Sequence, residues 1–208
     1  GAALAAAYPV DADLVVGVPD SGIPAAKGYS EASGIPFGIA FYKNSYVGRT
    51  FIKPTQKERE SSVRLKLNVL EPVVRGKRII LVDDSIVRGT QLRETTEFLY
   101  RNGAKEVHIR PACPPLLYGC KYLNFSRSKS EMDLITRRVI AKREGENVSD
   151  RILADYADPN STNYKEMLEE IRKELNFTSL KFHRLDDLKA SIGISPCKLC
   201  TYCWDGKE

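Results

Sequence analysis

The chain has 208 residues, 42% apolar and 28% charged, which is enough for one medium domain with a full core and is ordinary for a globular protein. Its 32 basic and 27 acidic residues leave a net charge of +5. These charges are scattered, so they do not argue for nucleic acid and fit an anionic small-molecule substrate equally well. No run of about 18 apolar residues is present, so no membrane-spanning helix is expected.

The Ala-rich start has no basic stretch and reads as the end of a helix rather than a signal peptide, so the chain reads as a cytoplasmic piece of something longer. Residues 14–18 (LVVGV) form a short apolar run, as expected of a strand buried on both faces. The turn Pro19-Asp20-Ser21-Gly22 follows, then a helix over about residues 23–32 stopped by Gly34. Residues 35–42 are a second strand candidate. Residues 43–66 are polar and basic, and a loop of that length inside a domain is expected to be a functional lid.

The strongest strand is residues 77–82. A helix is expected over about residues 90–102, with Leu92, Leu99 and Tyr100 on one face, and a strand over 105–111. This β-α-β rhythm predicts an α/β fold: a parallel sheet flanked by helices. From residue 128 the pattern turns helical, with Tyr164, Met167, Leu168, Ile171 and Leu175 on one face and another short helix over 182–190. The expected organisation is a core over 1–127 and a C-terminal helical extension over 128–208, packed on the core and carrying a cysteine cluster.

Residues 79–90 read IILVDDSIVRGT. A buried parallel strand ends in two adjacent acids, and a loop of small and polar residues leads into a helix. Ligands of open α/β sheets bind at the carboxyl ends of strands. The helix N-terminus offers free N–H groups to a phosphate, Gly89 allows close approach, and Ser85 and Thr90 add hydroxyls. The two carboxylates would repel a phosphate directly and are better placed to hold ribose hydroxyls or Mg²⁺. The alternative, an acidic turn capping a helix, would suit a lone Asp-Asp pair but not the whole pattern.

Five cysteines are present: Cys113, Cys120, Cys197, Cys200 and Cys203. Without a secretion signal, a disulfide framework is not expected. The CxxC of Cys200 and Cys203 suits zinc or iron equally well; idle thiols near a terminus are the alternative.

The stretch V-D-D-S-I-V-R-G-T resembles the signature by which type I phosphoribosyltransferases bind phosphoribosyl pyrophosphate (PRPP). In detail the chain resembles the amidophosphoribosyltransferase family, also called glutamine PRPP amidotransferase. V-P-D-S-G at 18–22, K-N-S-Y-V-G-R-T-F-I at 43–52, P-T-Q at 54–56, V-R-L-K-L-N at 63–68 and G-A-K-E-V-H-I-R at 103–110 carry the match further. The sequence departs at Ser45, where the family usually has Arg, and at Gln91, where Thr is common.

The resemblance implies the type I phosphoribosyltransferase fold and a set of roles. Asp83 and Asp84 would meet the ribose hydroxyls and Mg²⁺, with Ser21 as a further Mg²⁺-site residue. Ser85, Ile86, Val87, Arg88, Gly89 and Thr90 would cradle the 5′-phosphate, and Asp20, Ser21 and Gly22 would form the pyrophosphate loop. Lys43, Tyr46 and Arg49 would close over the pyrophosphate and serve catalysis. One branch of the family holds a 4Fe–4S cluster; Cys120, Cys200 and Cys203 match three of its ligands, with Cys197 or an upstream residue as the fourth. Its expected role is structural, with no path to the PRPP loop, and Cys113 is expected in the core.

The implied reaction joins PRPP and ammonia into phosphoribosylamine and pyrophosphate, the first step of purine synthesis. The family's N-terminal glutaminase domain is not in this sequence, so glutaminase activity is expected from that domain or a separate partner. A homo-oligomer is expected, without nucleic acid or membrane. Two alternatives share the Asp-Asp loop: a non-catalytic PRPP-sensing regulator and a purine salvage phosphoribosyltransferase. The first is disfavoured by the lid and by the lack of a helix-turn-helix, and the second by the KNSYVGRTF stretch and the cysteine tail.

Overall fold

The computed structural model describes residues 1–43, 67–122 and 131–207. In chain order its elements begin with α1 (Ala2–Ala7), β1 (Leu14–Gly17), α2 (Ile23–Ser33), β2 (Phe41–Lys43), β3 (Leu67–Val69), α3 (Glu71–Val74) and β4 (Arg78–Asp83). They continue with α4 (Thr90–Arg101), β5 (Glu106–Pro111), α5 (Ile135–Glu144), α6 (Asp150–Ala157), α7 (Thr162–Glu174), β6 (Ser179–Leu180), α8 (Leu185–Ile192) and α9 (Tyr202–Asp205). Among the described residues no helix is long and apolar enough to cross a membrane.

The main sheet has the order β1-β4-β5-β6, and every pair in it is parallel. Its strands are short apolar runs because both faces are covered. Leu14, Val16, Ile79, Leu81, Val107 and Ile109 face a core completed by Leu92 and Leu99 of α4 and Met167, Leu168 and Ile171 of α7. Val15, Ile80 and Val82 face the other side, against Leu4, Ala5, Ala26 and Tyr29 of α1 and α2. The expected helical face of Tyr164, Met167, Leu168, Ile171 and Leu175 is buried in this core. The predicted parallel sheet flanked by helices is therefore observed.

The structure differs from expectation in three places. The strand expected over 35–42 is split. Residues 36–38 pair with β1 through Val15, which donates to Pro36 O (2.8 Å) and accepts from Gly38 N–H (2.9 Å). The chain then leaves the sheet, and β2 pairs antiparallel with β3 in a separate ribbon, with Ile39 67% exposed at the crossing.

The helical extension also supplies a strand. The two residues of β6 are held by Thr178 N–H on Val107 O (2.9 Å) and Lys181 N–H on Ile109 O (3.2 Å). The Ser179 hydroxyl adds bonds to His108 Nδ1 (2.9 Å) and Arg110 Nη1 (3.0 Å). Two residues carry no period, and main-chain and side-chain bonds to β5 together hold this strand. The last helix expected over 182–190 begins later, at Leu185, and Phe182 and His183 are buried ahead of it. The expected boundary at 127/128 lies outside the described residues.

Candidate functional site

Because β1, β4 and β5 are parallel and in register, their carboxyl ends lie side by side: Gly17 is opposite Val82, and Asp83 opposite Pro111. The loops that follow are stitched together by main-chain bonds, from Val18 N–H to Val82 O (2.8 Å) and from Ala112 N–H to Asp83 O (2.8 Å). The first loop lies so close to β4 that a Cβ on Gly22 would stand 2.4 Å from Val82 O. Only glycine fits there. The Pro19–Asp20 peptide bond in the same loop is cis.

Asp83 ends β4, half-buried, and Asp84 follows it in the open. Asp84 N–H donates to Asp83 Oδ1 (2.9 Å), and Ser85 N–H donates to Asp84 Oδ1 (2.9 Å). Burial, followed by the hydrogen bond and the like charge of Asp84, pushes the Asp83 carboxyl up to about 8. Two adjacent carboxylates, with no ion pair among the described residues, form an oxygen-rich donor set suited to a hard cation such as Mg²⁺. Ser21 is exposed on the neighbouring loop.

Residues 85–89 run from this pair into α4. Gly89 caps the helix with φ +78 and no side-chain bond, so the first N–H groups of α4 remain available to an anion. A Cβ on Gly89 would also meet Ile135 Cδ1 at 2.8 Å. Ile86 is buried, Ser85 and Val87 are half-buried, and Arg88 and Thr90 are exposed. The Arg88 side chain pairs with Asp133 (3.1 Å), so any part it has in an anion cradle comes from its backbone.

The C-terminal extension holds this loop in place. Ile135 N–H donates to Val87 O (2.8 Å), and Arg138 Nη2 donates to Arg88 O (2.9 Å). Ile135 and Leu175 close over Gly89. These supports lie far away in sequence, from residue 135 to residue 175, and have no local signal.

Lys43, at the end of β2, reaches back across the first loop, where its ammonium donates to the Asp20 carboxylate. Asp20, Ser21, Gly22, Lys43 and the 83–90 loop are thus parts of one edge. Tyr46 and Arg49, expected beside Lys43, lie outside the described residues.

The cysteine tail packs close by. Leu117 and Tyr118 donate their N–H groups to Cys203 O (2.9 and 3.1 Å), which brings the Cys120 segment against α9. Burial pushes the Cys203 thiol up to about 11, and the charges of Cys120 and Cys200 add to it, so the three thiols share one neighbourhood. Thiolate donors of this kind suit iron or zinc. Among the described residues, however, no group of three or more His, Cys, Asp or Glu is arranged to hold a metal ion. Cys197 is exposed and bonds to Ser195 (3.1 Å).

Cys113, expected in the core, sits between the two regions. Burial pushes its thiol up to about 12, followed by the charge of Asp84, and the Trp204 indole and Cys203 are also within reach. Residues 112–118 therefore run from Asp83 O at one end to Cys203 O at the other. The sequence shows Pro114 and Pro115 in that segment but not what its two ends touch.

The family model of the phosphoribosyl transferase domain matches residues 4–113. The amidophosphoribosyltransferase of Methanothermobacter thermautotrophicus is 43% identical over 99% of this chain and 37% of its own length. The enzyme of that name from Synechocystis is 60% identical over 59% of this chain and 25% of its own. The solved structure of glutamine PRPP amidotransferase from B. subtilis, complexed with ADP and GMP, superposes with a TM-score of 0.75 at 39% identity, over 99% of this chain and 40% of that one. The chain thus spans about a third of the length of the curated relatives that it matches over its whole extent. On its fold and the match of the family model over more than half of its length, the chain belongs to the phosphoribosyl transferase domain family.

Proposed function

We propose that this chain transfers the phosphoribosyl group of PRPP to ammonia, giving phosphoribosylamine and pyrophosphate, the opening step of purine synthesis. The observation that carries the reading is the adjacent pair Asp83 and Asp84, with the N-terminus of α4, free of a side-chain cap, one short loop away. One end of that loop offers oxygen ligands and hydroxyl acceptors, and the other offers N–H donors to a phosphate. A ribose 5-phosphate has the complementary pair of ends.

In this reading the N–H groups of residues 86–90 and the hydroxyls of Ser85 and Thr90 bind the 5′-phosphate. Asp83 and Asp84 accept from the ribose hydroxyls and, with Ser21, hold Mg²⁺, which supplies charge neutralisation on the pyrophosphate when bound. The loop at Asp20, Ser21 and Gly22 receives the pyrophosphate, with Lys43 as its nearby cation. The nitrogen lone pair of ammonia forms the bond to the anomeric carbon as the carbon–oxygen bond to pyrophosphate breaks, and the nitrogen then loses a proton. No protein nucleophile is required. The chain's contribution is positioning and electrostatic stabilisation of the departing anion.

Cys120, Cys200 and Cys203 would hold an iron–sulfur cluster, which supplies cross-linking between the tail and the core. The bonds of Leu117 and Tyr118 to Cys203 O, which bring the Cys120 segment to the tail, support this.

The test is pyrophosphate release from PRPP with Mg²⁺ and an ammonium salt. Release that depends on ammonium and is lost in Asp83→Asn, Asp84→Asn protein is the expected result. A folded chain that binds PRPP but releases nothing above background would leave the regulator reading in its place.

A further inference from the structure

Asp20 is out of place in a loop that receives a polyanion. A carboxylate there repels pyrophosphate, and its usual alternative use, capping the helix that follows, is not taken up: Gly22 is the N-cap of α2, which has no side-chain capping bond. The Asp20 carboxylate turns instead to Lys43, its side chain 72% exposed against 35% for the lysine.

The backbone of Lys43 is fixed beside this loop, while its long side chain can swing between neighbouring anions. Lys43 is the last residue of β2 and is held in register opposite Leu67 of β3. Among the described residues, the cation seated on this loop is the Lys43 ammonium, and it is already committed to an internal anion.

We infer that Asp20 is a positioning residue that competes with pyrophosphate for the Lys43 ammonium and so sets how readily pyrophosphate leaves. The inference rests on the proposed phosphoribosyl transfer for its meaning, but not for its test. An exposed ion pair is weak, so a polyanion arriving with its metal can draw Lys43 away from Asp20. When the anion loosens, Asp20 takes the ammonium back. Each exchange breaks one contact of Lys43 and makes another, so the lysine is never left unpaired. The device weakens the hold on the product without removing the cation that the leaving group needs.

The experiment titrates Mg²⁺-pyrophosphate by calorimetry into the full chain and into Asp20→Asn, Lys43→Met, the double variant and Asp20→Glu. The Asp20→Asn chain is expected to bind pyrophosphate about three- to fivefold more tightly, the scale of one exposed ion pair. In the Lys43→Met background the same change should have less than half that effect on a logarithmic scale, and Asp20→Glu should bind as the parent does. Equal tightening with and without Lys43 would reduce the effect to plain repulsion and overturn the inference. Unchanged or weaker binding by Asp20→Asn, or no pyrophosphate binding by the parent chain, would overturn it too. Because the readout is binding, a chain that shows the expected pattern yet releases no pyrophosphate from PRPP and ammonia would defeat the proposed reaction and leave this inference standing.

Discussion

Val18 donates its main-chain N–H to the carbonyl of Val82 at 2.8 Å, one bond beyond the β1–β4 ladder. That bond joins the Asp20 loop to the Asp83 loop at the edge where the ligand would sit. It requires Gly22, whose Cα faces Val82 O with no room for a methyl group. In Gly22→Ala protein the two loops must separate by several tenths of an ångström. The expected outcome is a rise in the PRPP KM of about tenfold or more, with a loss of stability of about 1–3 kcal/mol. Thermal unfolding and steady-state kinetics check this; an unchanged KM would show that the spacing of the loops does not matter to the substrate.

Asp83 carries a charge that the folded state disfavours. Its folded carboxyl sits at about 8, far above the value of an unfolded aspartate, because burial and Asp84 disfavour its charge. The folded state therefore binds the proton more tightly. Asp83 costs nothing while it is protonated in both states, below about pH 4, and destabilises the fold progressively as pH rises from there towards 8. Metal-free Asp83→Asn protein should melt higher than the parent at pH 8, by up to a few kcal/mol in stability. That advantage should shrink to little at pH 4. The same variant should lose Mg²⁺-dependent PRPP binding. Melting curves across pH in the presence of a chelator would reject the idea if the gap stayed constant.

Much of this molecule is legible in its sequence because its strands are continuous apolar runs and its loops carry Gly and paired acids. The strand that ends at Asp83, the helix from Thr90 and the buried face from Tyr164 to Leu175 all follow from period and punctuation alone. What could not be read is held by contacts between distant residues. β6 is two residues long and is held in part by Ser179 meeting His108 and Arg110. Arg88 looks like a phosphate ligand in the sequence, but Asp133 draws its side chain away. Cys113 looks like core, but lies between Asp84 and the tail because Pro114 and Pro115 carry the chain from one to the other. Local pattern does not encode such partners.

Asp13 and Arg78 should control resistance to acid. The Asp13 carboxylate accepts from Arg78 N–H (2.8 Å), Nε (3.2 Å) and Nη2 (2.8 Å), joining the entry to β1 with the start of β4. These bonds hold its carboxyl well below the usual aspartate range. A depressed folded value stabilises the protein above about pH 4, and that contribution is lost as pH falls further. Asp13→Asn should therefore lower the melting temperature at pH 7, and the gap to the parent should narrow below pH 4. A gap that widened in acid would contradict the assignment.

The cysteine tail offers a separation of ligand chemistry from folding. Cys203 is tied to the core by its own carbonyl, which accepts from Leu117 and Tyr118, and these bonds do not involve its sulfur. Replacing the thiol should therefore remove a metal ligand without removing the anchor. Anaerobically purified parent protein is expected to be brown and to contain iron, whereas Cys203→Ser and Cys200→Ser proteins should be colourless and iron-poor. In the metal-free state, Cys203→Ser should melt within a few degrees of the metal-free parent, because serine preserves the backbone bonds and nearly the volume. Metal loading should then raise the melting temperature of the parent alone. Stoichiometric zinc in place of iron would keep the ligand assignment and replace the cluster. Iron retained in both serine variants would place its ligands elsewhere in the chain.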